Sequence, residues 1–447
     1  MIFTISTLLE AAPKSEMLFG ISPLFALIPL ILYIVLAFKD LNPVLNVFIC
    51  VIFSAILTKQ PLLKMGSVIG DSLGSFLGLI GFIILIGAAL GEVLKRTGVA
   101  ENIVKQVMRK IGINTINKAI IASMCTSMIL VALLGTLAGA NAIIAPIVIP
   151  LVAAIGMTPS TLSGIFLGAG LTGMFIGPFS PQVITIMELT GMSYGVYMLQ
   201  AGLPLAVTVL AVTFFMSKYI QKKTFGVYAY EEMAEIDVNK PATAEASRAT
   251  IVFFLVLAAM IAYGIYSQSG ASYAIVVMMV TAIATGLAAK MKPSAIFEAI
   301  TTGAQRLVWL FIMFVLFHPF ITFIENAGAF QRLVELIEPL LGSGSQIIFS
   351  IVAALTGIFG IGGAAVAQSV VMDKMFAGFV TDLAISPGLW ALIILVGSQI
   401  TSFAYPEADM LGQMGLARSK DVKNVVKLGV TAVVFSILLV GLRAIFG

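Results

Sequence analysis

Four short stretches hold the residues best suited to binding a small ligand or an ion. Gly135-Thr136-Leu137-Ala138-Gly139-Ala140-Asn141 and Gly360-Ile361-Gly362-Gly363, the latter followed by Gln368 and Ser369, are glycine-rich centres between apolar runs. Gly177-Pro178-Phe179-Ser180-Pro181-Gln182 and Ser398-Gln399-Ile400-Thr401-Ser402-Phe403-Ala404-Tyr405-Pro406 interrupt two further apolar runs with proline. Glycine lets main-chain amides and carbonyls turn toward a ligand, and proline withholds a helical N–H, so each stretch predicts a helix that stops and restarts. A restarted helix offers free N–H groups and a positive dipole end to an anion, while freed carbonyls suit Na⁺. On this reading Thr136, Gly139, Asn141, Ser180, Gln182, Gly362, Gly363, Gln368, Ser369, Gln399, Thr401 and Ser402 bind a substrate, with Na⁺ near Gly135, Asn141, Gly360 and Ser398. Asp373, Glu407 and Asp409 add carboxylates able to carry a proton or ligate Na⁺. The competing reading of each glycine or proline is a kink or a close helix contact. For each carboxylate it is a pair with a neighbour.

The elements that position these residues follow from composition. Of 447 residues, 60% are hydrophobic and 10% charged, and mean hydropathy is +1.10, so a water-soluble domain lacks the polar surface it needs. Apolar runs at 22–38, 42–58, 77–94, 198–217, 250–266, 271–289 and 424–442 are each about long enough to cross a bilayer core. Non-helical backbone at membrane depth persists only where protein covers it or where it lines a cavity, which singles out the four stretches again. Cys50 and Cys125 lie in apolar segments and read as packing residues. The chain has no GxxxxGK[ST] stretch, no HExxH and no Cys/His cluster. ATP-driven or metalloprotease chemistry therefore has no visible machinery, and the expectation is a carrier rather than an enzyme, with no cofactor beyond a coupling Na⁺ or H⁺. The net charge of +4 is scattered over short loops, which excludes a nucleic-acid stripe. His318, beside Pro319, reads as a proton relay or a hydrogen-bonded structural group.

Sliding the chain on itself by about 230 residues aligns these features in pairs. GVAENIVKQVMRKIG (98–112) meets GAFQRLVELIEPLLG (328–342), GTLAGAN meets GIFGIGG, and GPFSPQVITIMELTGM meets SFAYPEADMLGQMGL. The predicted fold is an all-α polytopic membrane protein: a tail (1–20), a first repeat (21–220), a linker (221–249) and a second repeat (250–447). Each repeat has five transmembrane helices, a re-entrant hairpin (116–134 with 141–155; 344–356 with 364–380) and a broken helix. Five crossings invert the second repeat relative to the first. With the linker in the cytoplasm most Lys and Arg lie inside; Lys14, Lys59, Lys64, Arg332 and Arg443 fall outside, and Arg306 and Lys374, within spans, are assigned to neither face. The amphipathic segments then lie on opposite faces, the basic one against the anionic cytoplasmic leaflet.

The run GMTPSTLSGIFLGAGLTGMFIGPFSPQVITIMELTGMSYGVYMLQAGLPLAV, together with QMGLARSKDVKNVVKLGV, resembles the ion transporter superfamily. It is most similar to the anaerobic dicarboxylate carrier branch, with the NhaC-type Na⁺/H⁺ antiporters close behind. The resemblance implies a homodimeric inverted-repeat carrier with two re-entrant hairpins, moving its substrate by an elevator motion across a bacterial inner membrane. The chain departs from that pattern in three ways. The Ser-Asn-Thr tip signature is missing, the first break carries no acidic residue, and neither tip has an arginine to clamp a carboxylate. The leading expectation is an ion-coupled secondary transporter of a small organic anion; the alternative is Na⁺/H⁺ antiport without an organic substrate.

Overall fold

A computed structural model describes residues 17, 20–37, 39, 41–231, 242–267, 269–330, 332, 335–336, 346–360 and 365–446. Among them the chain is helical, with no strand. The first helices are α1 (Ile28–Ala37), α2 (Pro43–Leu57), α3 (Met65–Leu73), α4 (Phe76–Arg96), α5 (Val99–Ile111), α6 (Ile116–Leu134) and α7 (Leu137–Ala153). There follow α8 (Pro159–Ile176), α9 (Pro181–Thr190), α10 (Tyr194–Tyr197), α11 (Leu203–Thr224), α12 (Ala244–Tyr266), α13 (Tyr273–Ala288), α14 (Pro293–Gln305) and α15 (Val308–Asn326). The last are α16 (Gln346–Ile358), α17 (Ala365–Asp382), α18 (Pro387–Gln399), α19 (Thr401–Ala404), α20 (Ala408–Leu416) and α21 (Val422–Phe446). Seven helices among the described residues are long and apolar enough to cross a bilayer: α4, α6, α8, the continuous Tyr194–Thr224, Ala244–Gly264, α15 and α21. The chain is a multi-pass membrane protein.

Contacts divide it into two compact units. The first comprises Met1–Gly81, Trp309–Phe349 and Val370–Ile385. Its core is aromatic: Tyr33 stands edge-on to Phe317 at 5.1 Å, Phe317 lies 5.9 Å from Phe320, and Phe349 meets Phe376 edge-on. Asn46 Nδ2 donates to the Tyr33 carbonyl at 2.9 Å, which satisfies a buried amide between α1 and α2.

The second unit comprises Phe82–Val308, Ser350–Ser369 and Ser386–Gly447. Almost every residue of α8 is buried, which makes it the central helix of this unit. Its glycines let neighbouring helices approach closely. A Cβ on Gly173 would stand 2.5 Å from the Met128 carbonyl, and one on Gly177 2.6 Å from that of Ala132. Gly170 faces Ser127, so α6 and α8 run parallel. On another side Gly168 meets Thr213, Gly164 approaches Ile220, and Thr158 N donates to Gln221 Oε1 at 3.0 Å. Hence α11 runs antiparallel to both, and its C-terminal end lies at the N-terminal ends of α6 and α8.

The first amphipathic segment is α5, with Gly98 at φ 73° and Gly112 at φ 77° closing its two ends. Gly328 has φ 74°, the conformation of Gly98, but most of 328–342 lies outside the described residues. Residues 1–16 of the tail and 232–241 of the linker also lie outside them. The described linker ends are ordered differently from the expectation. α11 runs on to Thr224 and α12 starts at Ala244, and Tyr230 Oη donates to the Ala417 carbonyl at 2.9 Å.

Candidate functional site

The first hairpin turns more tightly than its glycine content predicts. Only Gly135 and Thr136 leave helical geometry, because Gly135 takes the left-handed conformation (φ 63°) and reverses the chain in one residue. A Cβ there would also meet the Phe179 carbonyl at 2.7 Å, so Gly135 sits hard against the break in the neighbouring span. Thr136 is the N-cap of α7, yet its side chain makes no capping bond.

That neighbouring break spans Gly177 to Ser180, between α8 and α9. Ser180 is the N-cap of α9, is fully buried, and likewise makes no capping bond; its Oγ has no partner. Two helix starts with unfilled caps, those of α7 and α9, therefore meet at the Gly135–Phe179 contact. Such ends carry free N–H groups and a partial positive charge. Two of the carbonyls freed where α8 stops already accept a tyrosine hydroxyl. Tyr194 Oη donates to the Ile176 carbonyl at 2.6 Å and Tyr197 Oη to that of Phe175 at 2.8 Å. Sequence reasoning missed both tyrosines; their only signal is an i, i+3 pair just past the break.

Beyond Ser180, Gln182 ties three elements together. Its Nε2 donates to Ser369 Oγ on α17 and to Ser398 Oγ on α18, each at 2.6 Å. Both serine protons go to carbonyls one turn back, of Ala365 and Ile394, which fixes the orientation of the Gln182 amide. Its Oε1 is buried and unpartnered. Gln368 repeats the arrangement: Nε2 donates to the carbonyls of Gly357 and Gly397, the latter at 2.6 Å, and Oε1 has no partner. Thr401 Oγ1 also bonds the Gly397 carbonyl, at 3.2 Å. Gln182, Gln368, Ser369, Ser398 and Thr401 thus form one buried cluster, and Gln399 is buried beside it at the end of α18. Tyr405 Oη reaches the Gly360 carbonyl at 3.5 Å. Gly362 and Gly363 lie outside the described residues.

Asn141 is not at the hairpin tip. It lies within α7, where Oδ1 accepts from Ser127 and Nδ2 donates to the Phe166 carbonyl at 3.0 Å and to Gln413 Oε1 at 2.8 Å. These bonds brace α6, α7, α8 and α20. Gln413, which sequence reasoning did not single out, keeps a buried Nε2 without a partner. Gly139 lies in the first turn of α7, against Thr136.

The second break is also shorter than expected: a one-residue turn at Ile400, still in right-handed backbone, joins α18 to the short α19, and the chain leaves helical geometry only from Tyr405 to Glu407. Here the cap is filled. Glu407 is the N-cap of α20 and accepts from Asp409 N at 3.0 Å, as a carboxylate at a helix start does. Ser402 Oγ donates to Asp409 Oδ2 at 2.9 Å, and Glu407 Oε2 is sealed from solvent without a partner. Asp373 belongs to the first unit, half-buried on α17. Its neighbour Lys374 pairs with Glu325 at 2.8 Å, both 43% exposed, so that pair contributes little. Arg306, unassigned in the sequence, pairs with the buried Glu92 at 2.8 Å, and Glu92 also binds Arg96 at 3.0 Å.

Residues 7–220 match the Na⁺/H⁺ antiporter family, a stretch that includes the first break but ends before Gln368, Glu407 and Asp409. It falls on the antiporter side of the expected resemblance, not on the dicarboxylate branch. Among curated proteins none matches the chain. Among solved structures, the YdaH transporter of Alcanivorax borkumensis is similar at 15% identity and a TM-score of 0.56, over 87% of this chain and 90% of that one. MtrF of Neisseria gonorrhoeae, described as illuminating a class of antimetabolite efflux pumps, aligns over 86% of this chain and 84% of that one, at 15% identity and a TM-score of 0.47. The family match and the fold place the chain among membrane transporters rather than enzymes.

Proposed function

We propose that the chain is an ion-coupled secondary transporter of a small organic anion, with its site in the second unit. The observation that carries this reading is the meeting of two uncapped helix starts, at Thr136 and Ser180, next to buried oxygens that no protein group satisfies. The helix starts suit a carboxylate and Ser180 Oγ is free to donate to it. Gln182 Oε1 and Gln368 Oε1 are acceptors only and suit a cation. Opposite charges bound side by side stabilise each other, which is how one solute drags another across. Glu407 and Asp409 supply the exchangeable H⁺ or Na⁺. An inverted pair of repeats, an elevator movement of a homodimer and a bacterial inner membrane are consistent parts of this proposal.

The test is uptake of a carboxylate panel into proteoliposomes with and without imposed Na⁺ and H⁺ gradients. Gradient-driven accumulation of at least one carboxylate is expected; none across the panel overturns the reading. A second reading, Na⁺/H⁺ antiport alone, is favoured by the family match and by the acidic pair. Its signature is Na⁺-evoked proton release from the liposomes with no organic solute present.

A further inference from the structure

Away from this site, α6 and α11 flank an open groove of about 360 Å³, lined by Ile121, Met124, Cys125 and Met128 of α6 and by Leu210, Ala211 and Phe214 of α11. Its lining side chains are all apolar, and its volume lies near the lower end of ligand pockets. Because α6 and α11 run antiparallel, the start of α6 and the end of α11 share one end of this groove. Lys118 lies there one turn before Ile121, and Lys218 one turn after Phe214, with Lys222 a turn further on. Helical spacing puts all three on the same faces as the lining residues. The Lys218 ammonium lies 5.5 Å from the centroid of the Phe214 ring, over the wall of the groove itself. All three lysines are exposed, and among the described residues no carboxylate pairs with them.

We infer that this groove is a binding site for an anionic phospholipid, its acyl chain between α6 and α11 and its phosphate against Lys118, Lys218 and Lys222. The basic end lies on the face that charge distribution assigns to the cytoplasm, where anionic headgroups and juxtamembrane lysines attract. A wholly apolar occupant leaves three exposed lysines at the same end of the groove unused, and a soluble anion leaves the groove empty. Phospholipid satisfies both.

The test uses the full chain in detergent with phosphatidylglycerol or phosphatidylcholine, read by native mass spectrometry and by the alkylation rate of Cys125. Cys50, fully buried in the first unit, serves as the internal control. Retained phosphatidylglycerol and slowed Cys125 alkylation are expected, with affinity falling roughly fivefold for each lysine replaced in K118A, K218A and K222A. Ala211→Trp, which fills the groove without touching charge, is expected to abolish the protection. Equal retention of both lipids, or retention that the lysine variants leave unchanged, overturns the proposal. So does protection of Cys125 that follows protein concentration rather than lipid, which would assign the groove to a second copy of the chain, and so does protection by glycerol phosphate alone.

Discussion

The two broken spans differ in what fills the start of the resumed helix. At the first break Ser180 leaves its cap empty and its hydroxyl unpartnered, while tyrosines cover the carbonyls on the opposite side of the gap. At the second, Glu407 caps α20 with its own carboxylate and Asp409 is held by Ser402. One break has spare donors and no charge; the other is self-capped and acidic. The contrast teaches that similar Gly/Pro interruptions need not serve alike: in our proposal the first receives the anion and the second handles the driving ion.

The largest expected effect attacks the first break from its neighbour. Gly135→Ala forces a left-handed alanine whose Cβ meets the Phe179 carbonyl, and should cost at least ~2 kcal/mol. It should lower the thermal midpoint markedly and abolish uptake; a midpoint like that of the unmodified protein means the hairpin does not press on the break. Next, Gln182→Leu removes both 2.6 Å donors to Ser369 and Ser398 and should cost about 1–3 kcal/mol. Chemical denaturation with parallel uptake would read this, and full transport by the variant would remove Gln182 from the site.

Asp409→Asn preserves shape and a partner for Ser402, so stability should change by less than ~1 kcal/mol. Gradient-driven accumulation should nevertheless vanish while solute exchange persists. If accumulation survives, the second break is merely a capped turn. The smallest structural effect belongs to Ser180→Ala, which removes a hydroxyl with no partner and should leave stability within ~1 kcal/mol. Carboxylate affinity should weaken about tenfold, the worth of one ligand hydrogen bond; unchanged affinity in a binding titration would show that the empty cap faces no substrate.

The amino-acid order was enough to show a helical membrane protein and which stretches interrupt its helices, because apolar length and Gly/Pro chemistry act locally; the exact ends were not legible. Gly98, Gly112 and Gly135 take the positive φ that their place at helix ends calls for. It was also enough to mark Ser180, Gln182, Gln368, Ser369, Ser398 and Thr401 as polar groups in apolar surroundings. Which of them meet was settled by packing. Asn141 looked like a tip residue, but helix resumes at Leu137 and carries it inward to Ser127 and Gln413. The Gln182 bridge spans residues far apart in the chain, and the tyrosines that cover the carbonyls of Phe175 and Ile176 become intelligible only once α10 folds back on α8. Hydrogen bonding of a buried amide depends on which atoms stand within about 3 Å of it. No local pattern encodes that distance, so only the tertiary structure could decide which polar groups are spent on the fold and which are left without a protein partner.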